Sequence, residues 1–539
     1  MLTRIKDGRI IDPANRRDGI GDIWIDGDRI VAAPADEQAA DQTYDAAGKI
    51  VMAGAIDIHS HIAGSNVNSA RLLLSQGASV GAPLRTIEPP TFLTGCLYAG
   101  MGYTTVVEPA VAPGYALHAH LELAEVPVID KAILAVLGND DFLLGLVRAR
   151  ESAAAIEDYV AWTLATARAL GIKVINPGGA AAFKLNARSF SLDDVVPYYG
   201  VSSRAIVKAL QHAVHALGVP HPLHLHCNNL GIAGNAETAL ATIAAAEGLP
   251  LHLAHLQFYG YGKEGPRGFS SAAARLAEAV NGAKNVTVDV GQVMFGETVT
   301  ISSDVLRQFN ARHRANPKKW LILDGDGNGG GVVPYHYRAS DFYNAVQWAV
   351  GLELFLLIDD PARVFFTTDH PNGAPFTTYP ELFALLMSRD LRAEWMAKLP
   401  AAALEVTTLP SIAREYSLPE IAAMTRAAPA RLLGLGDRGH LNPGARADIA
   451  VYTDGRDRAK MLRAAHLVFK DGQLVVRDGA VVQPRFGRAL EVRPVHDGAI
   501  ARRMNDYCAQ RYGLAPDFMA VPEHALERPD PFECVPCAR

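Results

Sequence analysis

Apolar and polar positions along the chain follow two rhythms. Near the start, apolar pieces such as Ile10-Ile-Asp12, Ile23-Trp-Ile-Asp-Gly-Asp-Arg-Ile-Val31 and Lys49-Ile-Val51 are punctuated by Asp7-Gly8 and Asp26-Gly27. Asp-Gly between apolar runs predicts tight hairpins, because both residues reach the positive φ that such turns require. The same texture returns in Asp448-Ile-Ala-Val-Tyr-Thr453, Leu467-Val-Phe-Lys-Asp-Gly-Gln-Leu-Val-Val476 and Asp478-Gly-Ala-Val-Val482. Two β-rich ends around a different middle predict one small β-sandwich domain, built from residues 1–51 and 436–490.

Between them, residues 52–435 alternate short apolar strands with Ala-rich helical stretches. The strands include Tyr103-Thr-Thr-Val-Val-Glu108, Gly171-Ile-Lys-Val-Ile-Asn176, His221-Pro-Leu-His-Leu-His226, Leu251-His-Leu-Ala-His255, Val286-Thr-Val-Asp-Val290 and Val364-Phe-Phe-Thr-Thr-Asp369. This alternation predicts an α/β fold of βα units with parallel strands, at a length suited to a (β/α)8 TIM-like barrel. Residues 491–539 read as an irregular C-terminal tail available for subunit contacts. Its Cys534-Val-Pro-Cys537 is compatible with a structural, metal or redox role.

Composition narrows the class. A chain of 539 residues has room for a large barrel and an accessory domain. The net charge of -6 carries no nucleic-acid footprint. Only five Cys occur, which excludes a disulfide scaffold and fits a reducing compartment. No apolar run reaches the roughly 18 residues a membrane span needs, and the N-terminus lacks an apolar signal core. The expected location is cytoplasmic.

The chemistry starts at Val51-Met-Ala-Gly-Ala-Ile-Asp-Ile-His-Ser-His61. Side chains two apart on an extended chain point the same way, so His59 and His61 offer two imidazoles to one space, half of a zinc site. Later strands carry Lys173, His226, His255 and Asp369 at or near their ends, where barrel active sites lie. Neutral imidazoles and a carboxylate hold zinc. Lys173, depressed by nearby cations, can add CO₂ and bridge two metals as a carbamate. Asp369 is the expected catalytic acid–base as well as a ligand. Lys184 is the alternative to Lys173. His224 is read as a supporting or core residue, and His118 and His120 as structural. Asn228, Asn229, Gln257 and His370 are the expected substrate contacts. Asp324-Gly-Asp-Gly-Asn-Gly-Gly-Gly331 could bring backbone N–H groups to a ligand, but it is no P-loop, because no Gly-Lys-Ser/Thr follows.

His-x-His, a mid-barrel Lys, two single His and a late Asp resemble the amidohydrolase superfamily with binuclear metal sites. Longer motifs narrow the resemblance: Asp57-Ile-His-Ser-His-Ile-Ala-Gly64, Val174-Ile-Asn-Pro-Gly-Gly179, His224-Leu-His-Cys-Asn-Asn-Leu-Gly231, His255-Leu-Gln-Phe-Tyr-Gly-Tyr-Gly262 and Thr367-Thr-Asp-His-Pro-Asn-Gly373. These look like the A subunit of formylmethanofuran dehydrogenases and its bacterial relative, the alpha subunit of formyltransferase/hydrolase complexes. The resemblance implies hydrolysis of the N-formyl group of a methanofuran-type carrier to formate and free amine in one-carbon metabolism. It also implies zinc, two ions bridged by carboxylated Lys173. Implied partners are the other subunits of the complex, including a formyltransferase; nucleic acid and membrane are not among them. Alternatives are the corresponding subunit of a CO₂-reducing formylmethanofuran dehydrogenase, or a dihydropyrimidinase-like cyclic amidohydrolase.

Overall fold

The computed structural model describes residues 1–35, 40–75, 87–184, 189–302, 331–529 and 531–538. The side chain of Lys184 and the segment Asp324–Gly330 of the Gly-dense stretch lie outside the described residues.

Eight parallel strands form the centre of the largest sheet among the described residues. In order they are Ala55–Asp57, Tyr103–Val111, Asp130–Leu137, Gly171–Ile175, Leu223–His226, Leu251–Leu253, Val286–Asp289 and Val364–Phe365. Each pairs in parallel with the next. A bridge between Ser60 and His370 joins the segments that follow the first and eighth strands. Val106, Ile133, Val174, Leu225, Leu253 and Val288 are fully buried, as expected of parallel strands covered by helices. Asp140, Ser152, Ser202 and Asp341 cap the helices that begin after them, each accepting a backbone N–H of the first turn.

One inward-facing row is unusual. Lys173, His224, His252 and Thr287 sit opposite one another in register across the fourth to seventh strands. Paired residues of parallel strands face the same side. Barrel interiors usually hold branched aliphatic layers; here one layer is polar and basic, directly below the strand ends.

The two chain ends meet in one nine-stranded sheet among the described residues, with residues 2–53 and 449–481 contributing strands. Its core gathers Ile5, Ile23, Ile25, Val51, Ile449, Val451, Leu467 and Phe469. The segment read as an irregular tail is more ordered than that. Helix Ala499–Tyr512 buries Ile500, Met504 and Cys508. Strand Phe532–Cys534 pairs in parallel with Ala489–Glu491, which pairs with the third barrel strand.

A buried ionic seam ties these parts together. Lys470 Nζ lies 3.0 Å from both Asp130 Oδ2 and Asp448 Oδ2. Arg438 reaches Asp130 at 3.1 Å and Glu533 at 2.9 Å, and Arg446 reaches Glu533 at 2.8 Å.

Candidate metal centre

The first strand ends at Asp57, and the next turn is fixed through that residue. Asp57 Oδ1 accepts the His59 backbone N–H at 3.0 Å, while Oδ2 accepts the hydroxyls of Tyr98 at 2.8 Å and Tyr379 at 2.6 Å. Burial raises the Asp57 carboxyl to about 6, against these hydrogen bonds. Held this way, the rings of His59 and His61 stand 5.6 Å apart at 87°. Their Nε2 atoms converge on one oxygen, Asp369 Oδ1, at 3.0 and 3.3 Å.

The later residues join in part. The ring of His255 lies 5.3 Å from that of His59, and His226 lies 4.6 Å from His255. Lys173 is buried one layer down, beside His224 in register. His255 and Asp369 do not close strands as the sequence suggested. The strands stop at Leu253 and Phe365, and both residues sit beyond them in the left-handed region, with φ of 34° and 51°. That backbone is strained for a side chain, and both residues nonetheless reach His59, the His255 ring at 5.3 Å and Asp369 Oδ1 at 3.0 Å from Nε2.

The donor set fits a metal. Lys173 Nζ, His226 Nε2 and His255 Nδ1 are buried and make no hydrogen bond, and His59 Nε2 and Asp369 Oδ1 face each other at 3.0 Å. Native proteins leave few buried polar atoms unpaired, and imidazole and carboxylate atoms gathered in one place are what zinc takes. His59, His61 and Asp369 bring one such atom each within 4.8 Å of one another. Burial pushes His226 well below an ordinary imidazole and His255 down to about 3. Burial also lowers Lys173 to about 8, against the pull of Asp289, Asp369 and Glu108. Burial alone would raise Asp369, but His255 and His59 hold it well below the usual carboxylate range.

Two acids that no sequence motif singles out complete the geometry. Glu108 Oε1 sits 3.0 Å from His61 Nδ1, and Oε2 accepts the N–H groups of Ile62 and Ala63 at 2.7 and 3.0 Å. Asp289 Oδ2 sits 2.9 Å from His59 Nδ1. A carboxylate on the far ring nitrogen fixes the tautomer that leaves Nε2 for a metal. Both acids lie on strands whose sequences were evident; which histidine each would face was not. His224 and His252 belong to this layer too, with His224 Nε2 3.1 Å from His59 Nδ1 and His252 Nε2 3.0 Å from Asp289 Oδ2.

The expected substrate contacts are buried and tied to the scaffold. Asn228 donates to Ser203 Oγ at 2.9 Å. Asn229 accepts from and donates to the backbone of Phe190 at 2.9 and 3.1 Å. Gln257 donates to Tyr261 at 2.7 Å, and His370 Nδ1 accepts the Phe376 N–H at 3.2 Å. His120 is structural in its contacts, with Nε2 3.1 Å from the Ala167 carbonyl.

The family model of the amidohydrolase family matches residues 42–483. The chain belongs to the amidohydrolase family. Membership makes it a hydrolase of a generally metal-dependent kind, in keeping with the donor cluster. Within that family it is 51% identical over 548 residues to the A subunit of the formyltransferase/hydrolase complex Fhc of Methylorubrum extorquens, covering 100% of both chains. It is 40% identical over 517 residues to protein FwdA of Methanocaldococcus jannaschii, covering 90% of each. The crystal structure of the Methylorubrum extorquens complex FhcABCD with methylofuran superposes with a TM-score of 0.94 over 100% of both chains. The TIM-like amidohydrolase fold expected from the sequence is the fold observed.

Proposed function

We propose that this amidohydrolase hydrolyses the N-formyl group of a methylofuran-type carrier to formate and free amine, within a formyltransferase/hydrolase complex. The observation that carries this is full-length 51% identity to the A subunit of Fhc, joined to a donor cluster that suits amide hydrolysis. That relative was crystallised as the complex FhcABCD with methylofuran, which supports other subunits, among them a formyltransferase, as partners here. The described cysteines are free, which supports the cytoplasm as its compartment.

His59, His61, His226, His255 and Asp369 would hold zinc, two ions if carboxylated Lys173 bridges them. Zinc supplies Lewis-acid polarisation of a carbonyl and lowers the pKa of a water toward neutrality. The protein does the rest. Asp369 takes a proton from the attacking water as its oxygen bonds to the formyl carbon. It then delivers that proton to the amine nitrogen as the C–N bond breaks, and formate and the amine leave. Asn372 donates to Asp369 Oδ2 at 3.1 Å, which leaves Oδ1 turned toward the histidines. Asn228 and Gln257 each keep one buried oxygen without a partner and are the proposed contacts for a substrate N–H. Asn229 and His370 act by fixing the loops around them.

Asp369→Asn tests the reading. The variant should keep most of its zinc, because the histidines remain, and lose about 10²–10⁴-fold in turnover, the usual span for a general acid–base. Formate release from N-formylfurfurylamine and from the formylated carrier measures it. Wild-type turnover by this variant would overturn the role of Asp369. Hydrolysis of dihydrouracil in place of either formamide would move the substrate to cyclic amides.

A further inference from the structure

Asp289 ends the seventh strand and is completely buried. Its oxygens are spent on different strands. Oδ2 lies 2.9 Å from His59 Nδ1, beyond the first strand, and 3.0 Å from His252 Nε2, on the sixth. Oδ1 accepts the backbone N–H of His255 at 2.5 Å. That N–H belongs to the residue held at φ 34°, a conformation that costs an L-residue energy and persists only where its surroundings over-determine it. The carboxylate supplies that determination with a charge-assisted hydrogen bond, stronger than a neutral one.

We propose that Asp289 is the positioning residue that couples the two halves of the metal centre. One carboxylate sets the tautomer and ring plane of His59 and, at the same time, locks the backbone from which His255 projects. His252 contributes by steering Oδ2, its own Nδ1 being anchored by Thr287 Oγ1 at 2.9 Å. Glu108 differs: it holds His61 and the backbone just after it, and nothing from the far side of the barrel. Losing Glu108 therefore loosens one ligand, and losing Asp289 loosens two, which follow the first and the sixth strands.

This inference rests on the assignment of His59 and His255 as ligands, and the test separates the two. Full-length wild-type protein and Asp289→Asn are stripped of metal and titrated with Zn²⁺ against a chromophoric chelator. They are then loaded with Co²⁺ for visible spectra, and the melting temperatures of the apo forms are recorded. Asp289→Asn should bind Zn²⁺ about 10–100-fold more weakly, the usual effect of removing an outer partner. Its Co²⁺ spectrum should change, and its apo form should stay folded. Wild-type Zn²⁺ affinity in Asp289→Asn overturns the proposal. So does an unaltered Co²⁺ spectrum accompanied only by a lower apo melting temperature, which a purely structural role would give. Should Asp289→Asn not fold, Asp289→Glu goes through the same titration; weaker Zn²⁺ binding supports the proposal and unchanged binding overturns it. Failure of the wild-type chain to bind Zn²⁺ or Co²⁺ overturns the ligand assignment itself.

Discussion

Gly291 shows how tightly individual residues are fitted around the donors. It lies at φ +68°, and a Cβ placed there would sit 2.4 Å from His255 Cβ and 3.4 Å from Asp369 Cβ. No real Cβ tolerates the first contact, so the close approach of these two residues requires glycine between them. Gly291→Ala should displace His255. We expect reduced zinc content and a loss of about 10²-fold in turnover, the scale of a 1 Å misplacement. Metal analysis beside formate release checks this, and wild-type values for both would show that the backbone accommodates the methyl group elsewhere. His59, His61 and Asp369 were legible because each follows a short apolar strand, and the structure brings them together. Glu108 and Asp289 were not. Their partners lie 47 and 230 positions away, and an acid on a strand says nothing by itself about which imidazole it will face.

Among the elements, the third barrel strand carries a buried lysine with a measurable consequence. Lys131 donates to the carbonyls of Val126 and Gly487, each at 3.1 Å. Burial lowers it to about 7; Asp130 opposes this, and Arg528 and Lys470 add to it. In the unfolded chain the same group titrates near 10.4. Between those values the unfolded chain holds more protons than the folded one, so this residue makes stability rise with pH across that interval, and its cost is full below about 7. Lys131→Met removes the dependence. The melting temperature of wild type relative to this variant should climb as pH is raised from about 6 to about 9, and a constant difference would show that Lys131 keeps its proton in the fold. The strand–helix alternation and the hairpins at Asp26-Gly27, Asp471-Gly472 and Asp478-Gly479 were legible from period and turn chemistry. Asp7-Gly8, read the same way, turns no hairpin: it is a bulge inside the continuous strand Leu2–Asp12, with Asp7 at φ 59°. Helix Ala499–Tyr512 was overlooked, although Ile500, Met504 and Cys508 recur at the four-residue spacing of a buried helical stripe. Polar residues between them hid it. Nor does sequence show that His255 and Asp369 stand outside their strands, because left-handed backbone at a non-glycine position is a tertiary outcome.

For the whole molecule, the ionic seam joins the barrel, the sheet made by both ends and the C-terminal strand. Glu533 faces Arg438, Arg446 and Arg488, the first two of them buried. Glu533→Gln leaves those guanidinium groups short of a carboxylate and should cost about 1–3 kcal/mol, as for other buried polar groups deprived of a partner. Thermal melting of the metal-free protein should show the loss, with zinc affinity unchanged because the seam is remote from the donors. An undiminished melting temperature would mean that Asp130 and Asp437, which also face Arg438, suffice. The seam also has a consequence in time. Arg438 and Glu533 are 95 positions apart, and ribosomes add about 5–20 residues each second. During synthesis the arginine must therefore wait several seconds for that acid, while Asp130 has long since emerged. Until then Arg438 and Arg446 lean on the aspartates made earlier or soon after, Asp130, Asp437 and Asp471, so the docking of the C-terminal strand belongs late in biogenesis.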